Sequence, residues 1–183
     1  MATEFKELLV NEKHPLFDTT GMFYKEFPSD FRQIRYFTLL IVQKAPPEIK
    51  ELNLLEQQIS ELIKNAVKHG NRNNPEKKIR VWYQFTPTRA RIIVQDEGEG
   101  FQGLEEWNDF NRKRLECFQA QNFEDLANFV SYRTVRSDDY DGGNAMFAAV
   151  EYWNEGVVFN TARTGVAVGK TYPLKRVGVA LSE

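Results

Sequence analysis

Residues 61–70 and 96–101 carry side chains whose types and spacing could act on a nucleotide. In the first segment, Glu61, Asn65 and His69 recur at every fourth position, so in a helix they would share one face. The amide oxygen of Asn65 suits Mg²⁺, which takes its other ligands from water and phosphates. The Glu61 carboxylate, one turn away, could accept a proton from an attacking hydroxyl or water. A solvated polar stripe is the alternative interpretation of this segment alone.

The second segment follows a predicted β-hairpin. Residues 78–85 and 90–94 alternate in hydropathy around a turn, and Asp96 continues the side that points into the core. A carboxylate in that direction needs a partner, and the exocyclic amine of adenine is one such donor. Gly98 and Gly100 would let the backbone approach the base or adopt a positive φ. An ordinary Asp/Gly turn is the alternative, because Asp-x-Gly-x-Gly alone is a weak motif.

In this order, with a helix before the hairpin and a loop after it, the segments resemble the ATP-binding (Bergerat) domain of the GHKL superfamily. Three motifs carry the resemblance: an N box at Glu61, Asn65 and His69–Gly70, a first glycine box at Asp96, Gly98 and Gly100, and a second at residues 141–147, with Gly142 and Gly143. The short chain looks most like the anti-sigma factor serine/threonine kinases. The resemblance runs from about residue 20 to residue 175.

The resemblance implies ATP and Mg²⁺ as ligands, with Glu61 as the catalytic base and Asn65 as the metal ligand. The implied nucleotide-binding residues are Asn65, His69, Asp96, Gly98, Gly100, Gly142, Gly143 and Thr171. Thr171 resembles the polar residue that helps to hold adenine in this family, and an ordinary strand threonine is the alternative.

Composition agrees with one domain and excludes several classes. The chain has 183 residues, of which 42% are hydrophobic and 27% charged, as is usual for a globular domain with one core. A net charge of −2 leaves no basic footprint for nucleic acid. A single cysteine excludes an internal disulfide, and with only two histidines a zinc site is not expected. Without a membrane-length apolar run or a signal-like start, we expect a cytoplasmic protein with no membrane partner.

The pattern predicts an α/β fold, a two-layer α+β sandwich in which helices cover one face of a mixed, mostly antiparallel sheet. We expect residues 1–21 to form an N-terminal arm and residues 22–183 a single ATP-binding domain. The predicted elements are strands at 22–27, 78–85, 90–94, 156–160 and 166–173 and helices at 30–44, 48–69 and 144–153. Residues Phe31, Ile34, Phe37 and Ile41 should face the core, and Gly70 should be a left-handed C-cap.

Residues 102–141 occupy the position of the lid over the phosphates, but they are rich in apolar side chains. They predict two amphipathic helices, at 104–119 and 123–131. The insertion either enlarges the core or offers a docking surface to a protein substrate.

The function implied by the resemblance is transfer of the ATP γ-phosphate to a serine or threonine of an antagonist protein. The expected partner is an anti-sigma antagonist or a sigma factor-like protein, and the expected assembly is a homodimer. The alternative is a non-catalytic domain that sequesters a partner, with or without nucleotide. Ala145, where related kinases have a further glycine, favours that alternative. The catalytic half of a histidine kinase is disfavoured, because His14 lies in a short segment before Pro15.

Overall fold

The computed structural model describes residues 6–129 and 144–173. In these ranges the strands form one six-stranded sheet with the order β1-β5-β6-β4-β3-β2. The strands are β1 Leu8–Val10, β2 Phe23–Pro28, β3 Lys78–Thr86, β4 Arg89–Gln95, β5 Gly156–Phe159 and β6 Gly165–Thr171. Every neighbouring pair is antiparallel except β1 and β5, which are parallel. The predicted α/β class with a mostly antiparallel sheet is confirmed.

The helices are α1 Ile34–Val42, α2 Leu52–Asn65, α3 Leu104–Gln119, α4 Phe123–Leu126 and α5 Asn144–Tyr152. Short 3-10 turns precede α1 at Phe31–Gln33 and follow α4 at Ala127–Phe129. The predicted helix at 104–119 matches α3, whereas α2 begins later than residue 48 because residues 46–49 close a turn through an Ile49 N–H···O Pro46 bond of 3.1 Å.

One hydrophobic core lies between the sheet and the helices. Its fully buried side chains include Ile41, Leu55, Ile59, Ile63, Val67, Ile79, Val81 and Ile92. Each such side chain contributes roughly 1.5–3 kcal/mol when it leaves water. The inward positions predicted for Ile34, Phe37 and Ile41 are confirmed. The prediction for Phe31 is wrong: it lies in the 3-10 turn before α1, is 56% exposed, and packs under the Lys68 ammonium at 5.1 Å.

The N-terminal residues belong to the sheet, although the sequence predicted an arm. Strand β1 pairs with β5, and Leu8 is 2% exposed. The chain then crosses to the face of the sheet opposite the helices, where a 3-10 turn at Pro15–Phe17 buries Leu16 against Ile93 of β4. This segment was not predicted because it contains only a single turn and a three-residue strand, too short to show a period.

A buried guanidinium holds this segment to the sheet. Arg91 of β4 is 7% exposed, and its Nη2 donates to the carbonyl oxygens of Pro15 (3.3 Å), Leu16 (3.2 Å) and Asp18 (2.6 Å). These carbonyls lie in the 3-10 turn and directly after it, and that of Pro15 also accepts the Asp18 N–H at 3.0 Å. The charged donor therefore stabilises the turn as well as its attachment to β4.

Helix α3 is packed into the domain. Trp107 is 1% exposed and its ring lies 5.1 Å from that of Phe147 of α5. The Asn108 side chain accepts from Leu8 N–H (2.8 Å) and donates to Leu8 O (2.9 Å), so it occupies the free edge of β1 as a strand would. The first half of the insertion thus enlarges the core, as one of the two interpretations predicted, while Phe118 and Phe123 remain exposed.

Replacement of Arg91 tests the attachment of the N-terminal segment. We expect Arg91→Ala to lower the free energy of unfolding by about 2 kcal/mol or more, because the carbonyls of three residues lose a charged donor. The matched control is Arg80→Ala, an exposed arginine on the same face of neighbouring β3, which should change it by less than about 0.5 kcal/mol. Urea denaturation measures both, and equal losses would contradict the role of Arg91.

Candidate functional site

Helix α2 presents Glu61 and Asn65 beside its buried stripe. Leu55, Ile59 and Leu62 face the core, and the two polar side chains are half-buried at its margin. The helix then widens into a π-helical turn at Ala66–Gly70, closed by an Asn71 N–H···O Ala66 bond of 2.8 Å. Such turns are rare and frequently mark functional sites.

His69 differs in exposure from the other two N-box side chains. Asn65 is the last α-helical residue, and its side chain makes no capping hydrogen bond. His69 lies within the turn and is exposed, whereas Glu61 and Asn65 are half-buried. The structure therefore brings Glu61 and Asn65 together on one margin and places His69 in a different environment.

One carboxylate oxygen of Glu61 has no hydrogen-bond partner among the described residues. The Glu61 side chain is 29% exposed, and within the described residues its Oε2 atom is buried without a hydrogen-bond partner. The nearest cation, Lys64 Nζ, lies 4.0 Å from Oε2, which is an ion-pair separation but too long for a hydrogen bond. Glu61 also lines a groove between α1 and α2 together with Arg35 and Ser60. A carboxylate so placed can receive a proton from a group that enters the groove.

Asp96 follows the last residue of β4, and the pKa of its carboxyl group is raised. Its backbone N–H donates to Thr164 O at 3.0 Å, and its Oδ1 accepts from Gly98 N–H at 2.8 Å. Burial raises the pKa of the Asp96 carboxyl to about 6, although the Gly98 N–H and the charge of Lys77 act in the opposite direction. The carboxyl thus keeps unused acceptor capacity in a partly dehydrated position, as the sequence predicted from its alternation with Ile92 and Val94.

Gly70 is required by close packing rather than by a left-handed conformation. A Cβ atom on Gly70 would overlap the Asp96 carboxyl group, and one on Gly98 would overlap the carbonyl oxygen of Gly70. Positive φ angles occur beyond it, at Arg72 (53°) and Asn73 (56°). The predicted C-cap at Gly70 is therefore wrong, and the two glycines instead let the end of the N box touch the first glycine box.

Gly100 shows the other use of glycine that the sequence predicted. Its φ is +92°, and a Cβ atom there would overlap Ala162 O in the turn between β5 and β6. The same turn accepts the Phe101 N–H at Arg163 O (2.8 Å), and Arg163 pairs with Glu105 at the start of α3. The loop after Asp96 is therefore held by the β5–β6 turn.

Thr171 is not brought to this site. In the antiparallel β4–β6 pair it lies opposite Arg89, at the end of β6 farthest from Asp96, and its hydroxyl donates to Glu155 at 3.1 Å. Thr164 is the threonine beside Asp96, and its hydroxyl accepts from Gln95 Nε2 at 2.7 Å. Sequence reasoning missed Thr164 because only the strand register distinguishes the two ends of β6.

Sequence reasoning also missed Asn71, which is fully buried next to the site. It was assigned to a loop because its neighbours, residues 72–75, have loop composition. Gly142 and Gly143 lie outside the described residues. Ala145, the second residue of α5, is half-buried.

The structure describes residues 6–129 and 144–173. No helix in these ranges combines the length and the apolar character needed to cross a membrane. In the same ranges, no three His, Cys, Asp or Glu side chains are grouped so that they could hold a metal ion.

Comparison with known proteins agrees with this geometry. A family model described as "Histidine kinase-like ATPase domain" matches residues 27–127, from the end of β2 to α4. The protein named "Anti-sigma F factor" of Shouchella clausii (strain KSM-K16) is 28% identical over 65 residues, which are 36% of this chain and 44% of that protein. The chain therefore matches less than half of the length of this relative. Because the family model covers more than half of the chain, the chain belongs to the histidine kinase-like ATPase domain family.

Proposed function

We propose that this ATP-binding domain is a serine/threonine protein kinase of the anti-sigma factor type, which transfers the ATP γ-phosphate to an antagonist protein. The proposal rests on the half-buried Glu61 carboxylate, whose Oε2 has no hydrogen-bond partner within the described residues and which lies one helical turn from Asn65. A regulatory role is supported by the similarity to an anti-sigma F factor. A single domain that includes the N-terminal strand β1, a cytoplasmic location and a homodimer belong to the same proposal.

The residues present fit an adenine nucleotide. The Asp96 carboxyl accepts the Gly98 N–H and retains further lone pairs, one of which would accept from the exocyclic amine of adenine. The Asn65 amide oxygen would be the protein ligand of Mg²⁺, which usually takes few protein ligands and completes its shell with water and phosphate. Bound Mg²⁺ would supply charge neutralisation at the phosphates.

Glu61 would act on the acceptor. The hydroxyl oxygen of the substrate forms a bond to the γ-phosphorus, the bond from that phosphorus to the bridging oxygen of ADP breaks, and the hydroxyl proton passes to the Glu61 carboxylate. Phosphoryl transfer depends on positioning and charge neutralisation more than on covalent help from the protein. The groove at Arg35 and Ser60 gives the acceptor segment access to Glu61.

A second candidate is a non-catalytic switch that sequesters a partner. Ala145 favours it, because a methyl group at the start of α5 stands where related kinases have a glycine. A retained base beside a magnesium ligand favours the kinase.

Removing the base separates the two candidates. We expect Glu61→Gln to lower phosphate release from saturating Mg·ATP by about 100-fold or more, since water can replace the substrate hydroxyl and loses the same base. The affinity for ATP, measured by isothermal titration calorimetry, should stay within about twofold, because Glu61 is not placed on the nucleotide. Glu116→Gln, an exposed carboxylate change in α3, is the control.

Undiminished phosphate release by Glu61→Gln would remove Glu61 from the role of base. The non-catalytic switch would be favoured if the wild-type protein bound ATP but neither released phosphate nor transferred it to any partner.

The titration of Asp96 predicts pH-dependent nucleotide binding. An adenine amine donates to the carboxylate, so protonation of Asp96 competes with binding and ADP affinity should fall as the pH drops through about 6. The fall should reach at most about tenfold per pH unit, the limit for one linked proton. Asp96→Asn should bind ADP more weakly at pH 8 and should lack the fall in affinity that comes from protonation of Asp96. The pH dependence that comes from the phosphates of ADP should remain in both proteins. Identical pH profiles would contradict the assignment.

A further inference from the structure

The Asn71 carboxamide is completely buried and fully engaged. It is 0% exposed, and its Nδ2 donates to Ser29 Oγ at 2.7 Å and to Lys78 O at 3.0 Å. Its Oδ1 accepts the Glu97 N–H at 2.7 Å. One side chain therefore joins the segment after β2, the first residue of β3 and the residue that follows Asp96.

Backbone groups close this arrangement into a ring. The Lys78 carbonyl oxygen accepts from Asn71 Nδ2, and the Lys78 N–H donates to the Glu97 carboxylate. The backbone N–H of Asn71 donates to Ala66 O at 2.8 Å, which also fixes the π-helical turn at the end of the N box. The glycine-box loop is thereby attached to the same residue that terminates the N-box helix.

The attachment point lies next to Asp96. The Asp96 carboxyl is wedged against Gly70, where no Cβ atom fits, and it receives the Gly98 N–H. Residue 97 lies between these two glycine-box residues, so the Asn71–Glu97 bond sets how closely residues 96–98 approach the helix. A displacement of this loop would move the carboxyl and admit water to it.

We propose that Asn71 is a positioning residue for adenine recognition, which acts through the Glu97 amide to hold the Asp96 carboxyl against the end of the N-box helix. The inference rests on the proposed nucleotide site and adds a residue that contacts neither base nor phosphate. An ordinary buried hydrogen-bonding residue would affect stability alone. A positioning residue affects base selectivity and the titration of Asp96 as well.

The test compares ADP and GDP affinities by isothermal titration calorimetry between pH 5.5 and 8. The variants are Asn71→Ala, Asn71→Ser and Ser29→Ala. Ser29→Ala removes the hydroxyl that accepts from Asn71 Nδ2 but leaves the hydrogen bond from the Glu97 N–H to Asn71 Oδ1. Thermal unfolding of each variant is recorded in parallel. Lys77, whose charge acts on Asp96, and Glu97, the next residue in the chain, are unchanged in every variant, so a shift in the pH midpoint reports on the position of Asp96.

Asn71→Ala should lower ADP affinity at pH 8 by about tenfold, the size of effect expected when a buried hydrogen bond at a recognition site is lost. GDP affinity should not change, so the preference for ADP falls by the same factor. The pH midpoint of ADP binding should move below that of the wild type, because a more hydrated Asp96 returns towards its ordinary pKa. Ser29→Ala should match the wild type in selectivity and midpoint, despite a loss of thermal stability.

If Asn71→Ala does not fold, the smaller change in Asn71→Ser decides at a temperature where it is folded. Wild-type selectivity and midpoint in the folded Asn71 variants would overturn the inference and leave the proposed function intact. Equal losses for ADP and GDP with an unchanged midpoint would reduce Asn71 to a structural residue. Failure of the wild-type protein to bind either nucleotide would remove the proposed function, and this inference with it.

Discussion

The contact between Gly70 and Asp96 is the constraint on which the rest of the site depends. The end of an N-box helix and the start of a glycine-box loop meet with no room for a Cβ atom at either Gly70 or Gly98. This approach partly buries a carboxyl group, and burial without full solvation raises the pKa of Asp96 to about 6. A partly dehydrated acceptor with unused lone pairs is more selective for a donor than a solvated one, because the wrong ligand leaves it unpaired.

The π-helical turn follows from the same constraint. Helix α2 buries its apolar stripe, and the chain after it must bring Gly70 into contact with Asp96. The wide turn at Ala66–Gly70 changes the direction of the backbone between these two contacts. Asn65 is left at the last regular position, half-buried and near Glu61. The proposed base Glu61 and the proposed metal ligand Asn65 thus lie before this departure from α-helical geometry, and the exposed His69 lies within it.

The N-terminal segment and α3 are both bonded to the sheet that carries the site. The N-terminal segment covers the second face of the sheet under Arg91, and α3 occupies the free edge of β1 through Asn108. Arg163 joins the root of α3 to the turn that also holds Gly100. The described part of residues 102–141 is therefore continuous with the core, and the rings of Phe118 and Phe123 lie exposed on it.

The sequence by itself determined most of the long elements and the residue types of the candidate site. Periodicity located α3 and the β3–β4 hairpin, because long amphipathic segments bury one face wherever they pack. The motif spacing selected Glu61, Asn65 and Asp96 as a set. Tertiary structure alone decided the remainder. The strand register placed Thr164 beside Asp96 and Thr171 at the far end of β6. Packing across the fold, not local backbone conformation, explains Gly70 and buries Asn71, since both depend on residues some 25 positions away in the chain.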